Sequence, residues 1–112
     1  MIANEMARLF ADSRITIPAY QFQAPENAPY PHIVYTYIRD RLGVYSEGDY
    51  NTEVSEVQID IYSKANYNSI LEAAIALLKE YGFYKNNGWG RFDNDLHIYF
   101  YTLRVTKEIE LW

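Results

Sequence analysis

The sequence predicts an α+β fold: one mainly antiparallel sheet with a long projecting hairpin, packed by an N-terminal helix and one central helix. Three observations carry that expectation. Glu53 to Ser63 alternates, with Val57, Ile59 and Ile61 on one side and Glu56, Gln58 and Asp60 on the other, the period of a half-buried strand. Asn68 to Tyr81 changes period. Ile70, Leu71, Ala74, Leu77, Leu78 and Tyr81 recur at steps of three and four, which makes one apolar stripe of a helix. Finally, strand patterns and helix patterns do not strictly alternate along the chain, which favours a sheet with helices gathered on one face over a parallel doubly wound arrangement.

Taken in order, Ile2 to Ala11 places Ile2, Met6, Leu9 and Phe10 at helical spacing. The spacing predicts a short helix ending near Asp12 or Ser13. Arg14 to Tyr20 alternates Ile15, Ile17 and Ala19 against polar residues, but Pro18 interrupts it. Proline cannot donate to a ladder, so a short edge strand is the most this stretch allows. Gln23 to Pro31 holds three prolines and reads as an extended loop.

His32 to Tyr45 and Tyr50 to Ser63 form two strands around the turn residues Ser46-Glu47-Gly48-Asp49. Setting Tyr45 opposite Tyr50 fixes the register. Ile38 then meets Val57, Thr36 meets Ile59, and Val34 meets Ile61. On the other face Arg39 meets Glu56 and Tyr35 meets Asp60. A slip of one residue would exchange the faces, and each opposite-charge pair contributes about 0.2–1 kcal/mol to holding the register. The end of the hairpin, Arg41 to Thr52, is less apolar and is expected to project past the covering helix. Asn66 or Asn68 can cap the central helix, and Gly82 can end it in the left-handed conformation. Phe83 to Lys85 resumes strand, Asn86-Asn87-Gly88 gives a turn or bulge before Trp89 to Phe92, and Asp93-Asn94-Asp95 gives a second turn. Leu96 to Glu108 is the last long strand, apolar on both sides at its start, as expected of a central strand.

The 112 residues fit a single domain spanning 1–112, with a radius of gyration of about 13 Å. There is no cysteine, so neither disulfides nor thiolate metal sites enter. No apolar run is long enough for a bilayer, and MIANEMARLF lacks the basic start and apolar core of a signal peptide. A soluble protein made in the cytoplasm, with no membrane partner, is the expectation. The net charge of −5 is ill suited to nucleic-acid binding, which rests on cations replacing phosphate counterions. Aromatic residues make up 17 % of the chain, 12 of them tyrosines, which suits pleated sheet and protein–protein contact alike.

Catalytic patterns are not found. His32 and His97 both fall in strand patterns and form no HxxxH or HExxH spacing. Asp93-Asn94-Asp95 lacks the glycine and distant glutamate of a calcium loop. Gly88-Trp89-Gly90 lacks the lysine and hydroxyl of a phosphate loop. Glu108 and Glu110 share one face of a strand, with nothing nearby to keep either protonated. No enzymatic activity, cofactor or metal is expected. Candidate interface residues are Arg39, Arg41, Tyr45, Glu47, Asp49 and Tyr50 on the projecting hairpin, since arginine and tyrosine anchor interfaces.

The segments APYPHIVYTYIRD, VQIDIYS, LEAAIALLKEYGF and RFDNDLHIYFYTLRV, in that order, resemble the tail terminator or tail-completion (neck) proteins of long-tailed bacteriophages and prophages. The similarity covers Pro29 to Val105. It implies a structural virion subunit at the tail–head junction, assembled as a six-fold ring on the tail tube. Its partners would be other copies of itself, the major tail-tube protein and the head-closure or connector protein. It brings no catalytic residues, and it makes the hairpin from Gly43 to Thr52 an inter-subunit element. A neighbouring connector component would share these features. A small binding module using a tyrosine-rich sheet face is the alternative from a different class.

Overall fold

The computed structural model describes residues 2–42, 45–46, 49–50 and 52–110. Helix α1 (Ile2–Phe10) comes first. Strands β1 (Ala19–Gln21), β2 (His32–Leu42), β3 (Tyr45–Ser46), β4 (Asp49–Tyr50) and β5 (Thr52–Ser63) follow. Helix α2 (Asn68–Glu80), β6 (Tyr84–Asp93) and β7 (Ile98–Glu110) complete the order. The main sheet has the order β1-β2-β5-β7-β6, and β3-β4 is a separate two-stranded ribbon. All main-sheet pairings are antiparallel except β1 with β2. The fold is therefore the expected α+β arrangement.

One face of the sheet carries the core. Val57, Ile59 and Ile61 of β5 lie beside Val105, Leu103 and Tyr101 of β7, and all but the tyrosine are essentially sealed from solvent. Met6, Leu9 and Phe10 of α1 and Leu77 and Leu78 of α2 join the same cluster, so both helices cover one side. Each such aliphatic side chain contributes about 1.5–3 kcal/mol by leaving water. Phe10 stacks on Tyr35 at 4.9 Å between ring centroids, which ties α1 to β2.

The β2–β5 ladder corrects one expectation. Tyr45 does face Tyr50, and Arg39 faces Glu56. Between Tyr37 and Arg39, however, the register shifts. Ile38 is an extra residue in β2, a bulge that bends the strand and displaces everything before it by one. Ile33 therefore faces Ile61, Tyr35 faces Ile59 and Tyr37 faces Val57. The expected pairs Ile38–Val57, Thr36–Ile59, Val34–Ile61 and Tyr35–Asp60 do not form. The apolar β5 row selects Ile33 and two tyrosine rings over Val34 and Thr36, and the bulge reconciles that choice with the register of the tip.

The last hairpin bears out the bulge alternative expected at Asn86 to Gly88 and corrects one other expectation. Strand β6 is continuous, with Asn86 as a bulge between Lys85 and Asn87; the side-chain amide of Asn86 donates to the Thr106 hydroxyl. Strand β7 begins at Ile98. His97, expected on a strand face, instead sits in the turn with φ of 53°. Asp93 Oδ1 accepts from the amides of Asp95 at 2.9 Å and Leu96 at 3.0 Å, so it is the Asx turn that places His97 there. The capping position of α2 is Tyr67, which makes no side-chain cap bond, so neither Asn66 nor Asn68 is the cap; Asn66 Oδ1 accepts the Asn68 amide at 2.8 Å just ahead of the helix. At its end, Gly82 adopts φ of 87°, as expected of a glycine terminator.

The radius of gyration is 15.4 Å and the extents are 53 × 28 × 24 Å. That exceeds the ~13 Å expected of a compact chain of this length. The long strands β2, β5 and β7, of 11, 12 and 13 residues, account for about 37–44 Å of the long axis.

Replacing Leu103 by Ala should cost about 2–5 kcal/mol, measured by denaturant unfolding. Deleting Ile38 should leave a cooperatively folded protein, because it removes only the bulge. Deleting Gln58 should abolish cooperative unfolding, because the β5–β7 ladder is regular throughout and has no extra residue to absorb the loss, so one side of β5 is turned onto the wrong face.

Candidate functional site

The face of the sheet opposite the helices and the hairpin that extends from it make up the candidate site. Alternation dictates its content. On β5 the positions Glu56, Gln58, Asp60 and Tyr62 point away from the core. Their β7 partners are Thr106, Arg104, Thr102 and Phe100. These side chains bond across the strands. Asp60 Oδ1 accepts from Thr102 Oγ1 at 2.7 Å, and its carboxylate also accepts from Gln58 Nε2 at 3.1 Å. Gln58 Oε1 accepts from Arg104 Nε at 3.2 Å. Partly buried polar groups are retained at little cost when they are satisfied in this way. Among the described residues no buried side-chain polar atom lacks a partner.

An aromatic row continues the same face. The imidazole of His32, nearly buried, stacks on Tyr62 at 5.0 Å, and Tyr20 and Tyr30 lie 5.9 and 5.0 Å from it. Its Nδ1 lies 3.0 Å from the Pro29 carbonyl oxygen, which fastens the proline-rich segment to the sheet. Tyr62 meets Phe100 edge-on at 5.1 Å, and the Arg91 guanidinium lies over Phe100 at 5.1 Å, within reach of a cation–π attraction. Burial raises the Tyr62 phenol above its ordinary pKa, with Asp60 adding to the shift. His32 thus acts as packing, and no group of His, Asp and Glu able to hold a metal is found among the described residues.

Of the expected interface residues, Arg39 is the one whose side chain is described. It is 63 % exposed and reaches Glu56 Oε1 at 3.4 Å, as its register position demanded. For Arg41, Tyr45, Asp49 and Tyr50 the described backbone runs in β2, β3 and β4. Glu47 lies outside the described residues. The hairpin therefore brings Arg41 opposite Val54, Tyr45 opposite Tyr50, and Ser46 opposite Asp49 along its length. Tyr37, just before the bulge, has its phenol pushed up to about 12 by burial first and then by Asp40. Asp40 accepts from the buried Ser55 hydroxyl at 2.6 Å.

Sequence reasoning missed three features here. The Gln58–Asp60–Thr102–Arg104 lattice was visible only as polar positions, and its partners required the β5–β7 register. Exposed apolar rings of Trp89, 45 % exposed, and Tyr84, 51 % exposed, lie on the outer strand β6. The third is a set of ion pairs that fix α1 and α2. Arg14 joins Glu80 Oε2 at 2.7 Å and Asp12 Oδ1 at 3.1 Å, and Lys107 joins Glu5 at 2.9 Å.

No family model matches this chain, and no curated protein matches it. Among solved structures, it is similar to a chain of the virion of a native gene transfer agent (GTA) particle. The TM-score is 0.55 at 13 % identity, over 94 % of this chain and 90 % of that one. At this identity the likeness is one of fold, and it extends from end to end of both chains. No helix among the described residues is long and apolar enough to cross a membrane.

The Arg14 cluster carries a pH dependence. Hydrogen bonds from Arg14 lower the pKa of both Asp12 and Glu80. A carboxylate with a depressed folded pKa stabilises above its unfolded value, and that stabilisation disappears as pH falls through the folded value. Arg14→Gln should therefore lower the melting temperature near neutral pH. The gap from the parent protein should close on acidification below the ordinary carboxylate values of 3.8 and 4.5, as followed by thermal unfolding across pH.

Proposed function

We propose that this chain is a structural virion protein of a phage or prophage, a tail terminator or tail-completion subunit acting without catalysis. The observation that carries the reading is the end-to-end fold likeness to a chain of a virion particle. The sequence resemblance from Pro29 to Val105 points the same way. In this reading the subunit assembles with itself, as a hexameric ring, and contacts the major tail-tube protein on one side and the head-closure or connector protein on the other. It needs no cofactor, and its place is the tail–head junction of a particle put together in the host bacterial cytoplasm.

The geometry supports an assembly role. In this reading the contact residues are Arg39 and Arg41 on β2 and Tyr45, Asp49 and Tyr50 on the β3–β4 ribbon, with Glu47 between them in sequence. Closed rings use heterologous interfaces, one patch against a different one, and an elongated subunit with a projecting arm provides two such patches. An acidic chain also repels the DNA that would pass such a ring.

Native mass spectrometry over a concentration series, with electron micrographs of the same sample, should show a discrete hexamer and rings, or rings formed on adding tail-tube protein. A monomer that ignores tail-tube protein would overturn the ring reading in favour of a small binding module using the tyrosine-rich face. Arg39→Gln should weaken association severalfold or more while changing the melting temperature little, since glutamine puts no like charge opposite Glu56 and a pair with Arg39 63 % exposed contributes only about 0–1 kcal/mol to folding.

A further inference from the structure

Beside the outer strand β6 the core is left incompletely covered. Opposite Val105 the β6 residue is Lys85, which places no apolar side chain over β7. Between β6 and α2 lies a groove of about 330 Å³. Leu103 and Val105 of β7, Ile75 and Leu78 of α2, and Phe83 and Tyr84 line its apolar part. Its two charged lining residues are Lys79 and Lys85, and no acidic residue lines it. Both lysines are exposed. Lys85 donates to the Tyr101 hydroxyl at 3.3 Å, so neither ammonium has a carboxylate partner among the described residues. An apolar slot flanked by two cations, next to a strand with no neighbour on its outer side, fits an apolar segment that also carries acid.

This chain contains such a segment. Glu108-Ile109-Glu110-Leu111-Trp112 alternates acid with apolar residues and ends on two large apolar ones. It cannot fill the groove of its own molecule. Glu110 is five residues along β7 from Val105, the nearest lining residue of that strand, a distance of about 17 Å at strand rise. Leu111 and Trp112 together span at most about 7 Å. Leu111 and Trp112 seated in this groove therefore belong to another copy.

We propose that the α2–β6 groove receives the Glu110–Trp112 segment of a second copy of this chain, with Glu108 and Ile109 staying paired with β5 of that copy. The Leu111-Trp112 step fills the apolar part, and Glu110 meets Lys79 and Lys85. The contact joins two different patches and so propagates head to tail, which closes a ring when the rotation permits. It deepens the ring reading above and rests on it for the presence of neighbouring copies.

The test is a labelled peptide spanning Thr106 to Trp112, titrated into the full chain and followed by fluorescence anisotropy. Saturable binding is expected, weakened by salt and reduced about tenfold or more by Lys79→Glu or Lys85→Glu. Lys64→Glu, at a lysine outside the groove, should leave it unchanged. A peptide with Glu110 changed to lysine should regain affinity for the chain carrying both reversals. Absence of saturable binding, or binding indifferent to the two reversals, overturns the assignment. The outcome separates from that of the ring reading: rings without peptide binding refute the groove alone, and peptide binding without rings refutes the ring alone.

Discussion

The apolar row of β5 is the constraint on which the remaining elements depend. Val57, Ile59 and Ile61 are fully buried at the middle of the sheet, flanked by β2 on one side and β7 on the other. Burial of one face of a strand leaves its neighbours no freedom of register, because a slip of one residue exposes the whole row. The helices are placed by the same row. Met6 and Leu9 on α1, and Leu77 and Leu78 on α2, join that row in one cluster together with Ile33 and Tyr35 of β2 and Leu103 and Val105 of β7. Ion pairs from Arg14 and Lys107 then orient helices that the apolar contacts have already docked. In that order of strengths the aliphatic burial decides, since exposed ion pairs contribute little.

Periodicity made much of this legible in the sequence. The 3.6-residue stripe of α2, the alternation of β5, the Gly82 terminator and the Asp93 turn all carry their cause within a few residues. The hairpin shows where that reach ends. A register propagated from its turn is right as far back as Arg39 and wrong beyond it, because the residue that breaks it, Ile38, has no local mark. A bulge is a compromise between two distant demands, the turn at one end and the β5 row at the other, and neither demand is written at Ile38. His97 failed for a related reason. Its alternation with Tyr99 looked continuous, and the Asx hydrogen bonds from Asp93 end the turn two residues later than that pattern suggests.

The candidate site was legible in kind more than in detail. Arginines and tyrosines at the hairpin mark a contact surface by composition, and the Arg39–Glu56 pair was fixed by register. The groove beside β6 left no mark of its own, because its lining is gathered from α2, β6 and β7 and depends on how they pack; Gly88 and Gly90 do not line it. Those glycines accommodate tyrosine rings. A Cβ on Gly88 would lie 2.5 Å from the Tyr101 hydroxyl, and one on Gly90 2.5 Å from that of Tyr67. Side-chain volume removed from one strand is thus filled from β7 and from the residue before α2.

The bulge at Ile38 also sets how this protein can change over time. It divides the hairpin into two reaches that answer to different rules. Before it, β2 is locked to a buried row, and a shift there is a shift of the core. After it, pairing is set by the turn, and lengthening a hairpin tip by a pair of residues adds little to the closure entropy of the loop. A lineage can therefore lengthen, shorten or recharge the arm while the body stays the same, and each such change alters what the arm can grip. One irregular residue uncouples the part that must be conserved to fold from the part that must diverge to match a new partner.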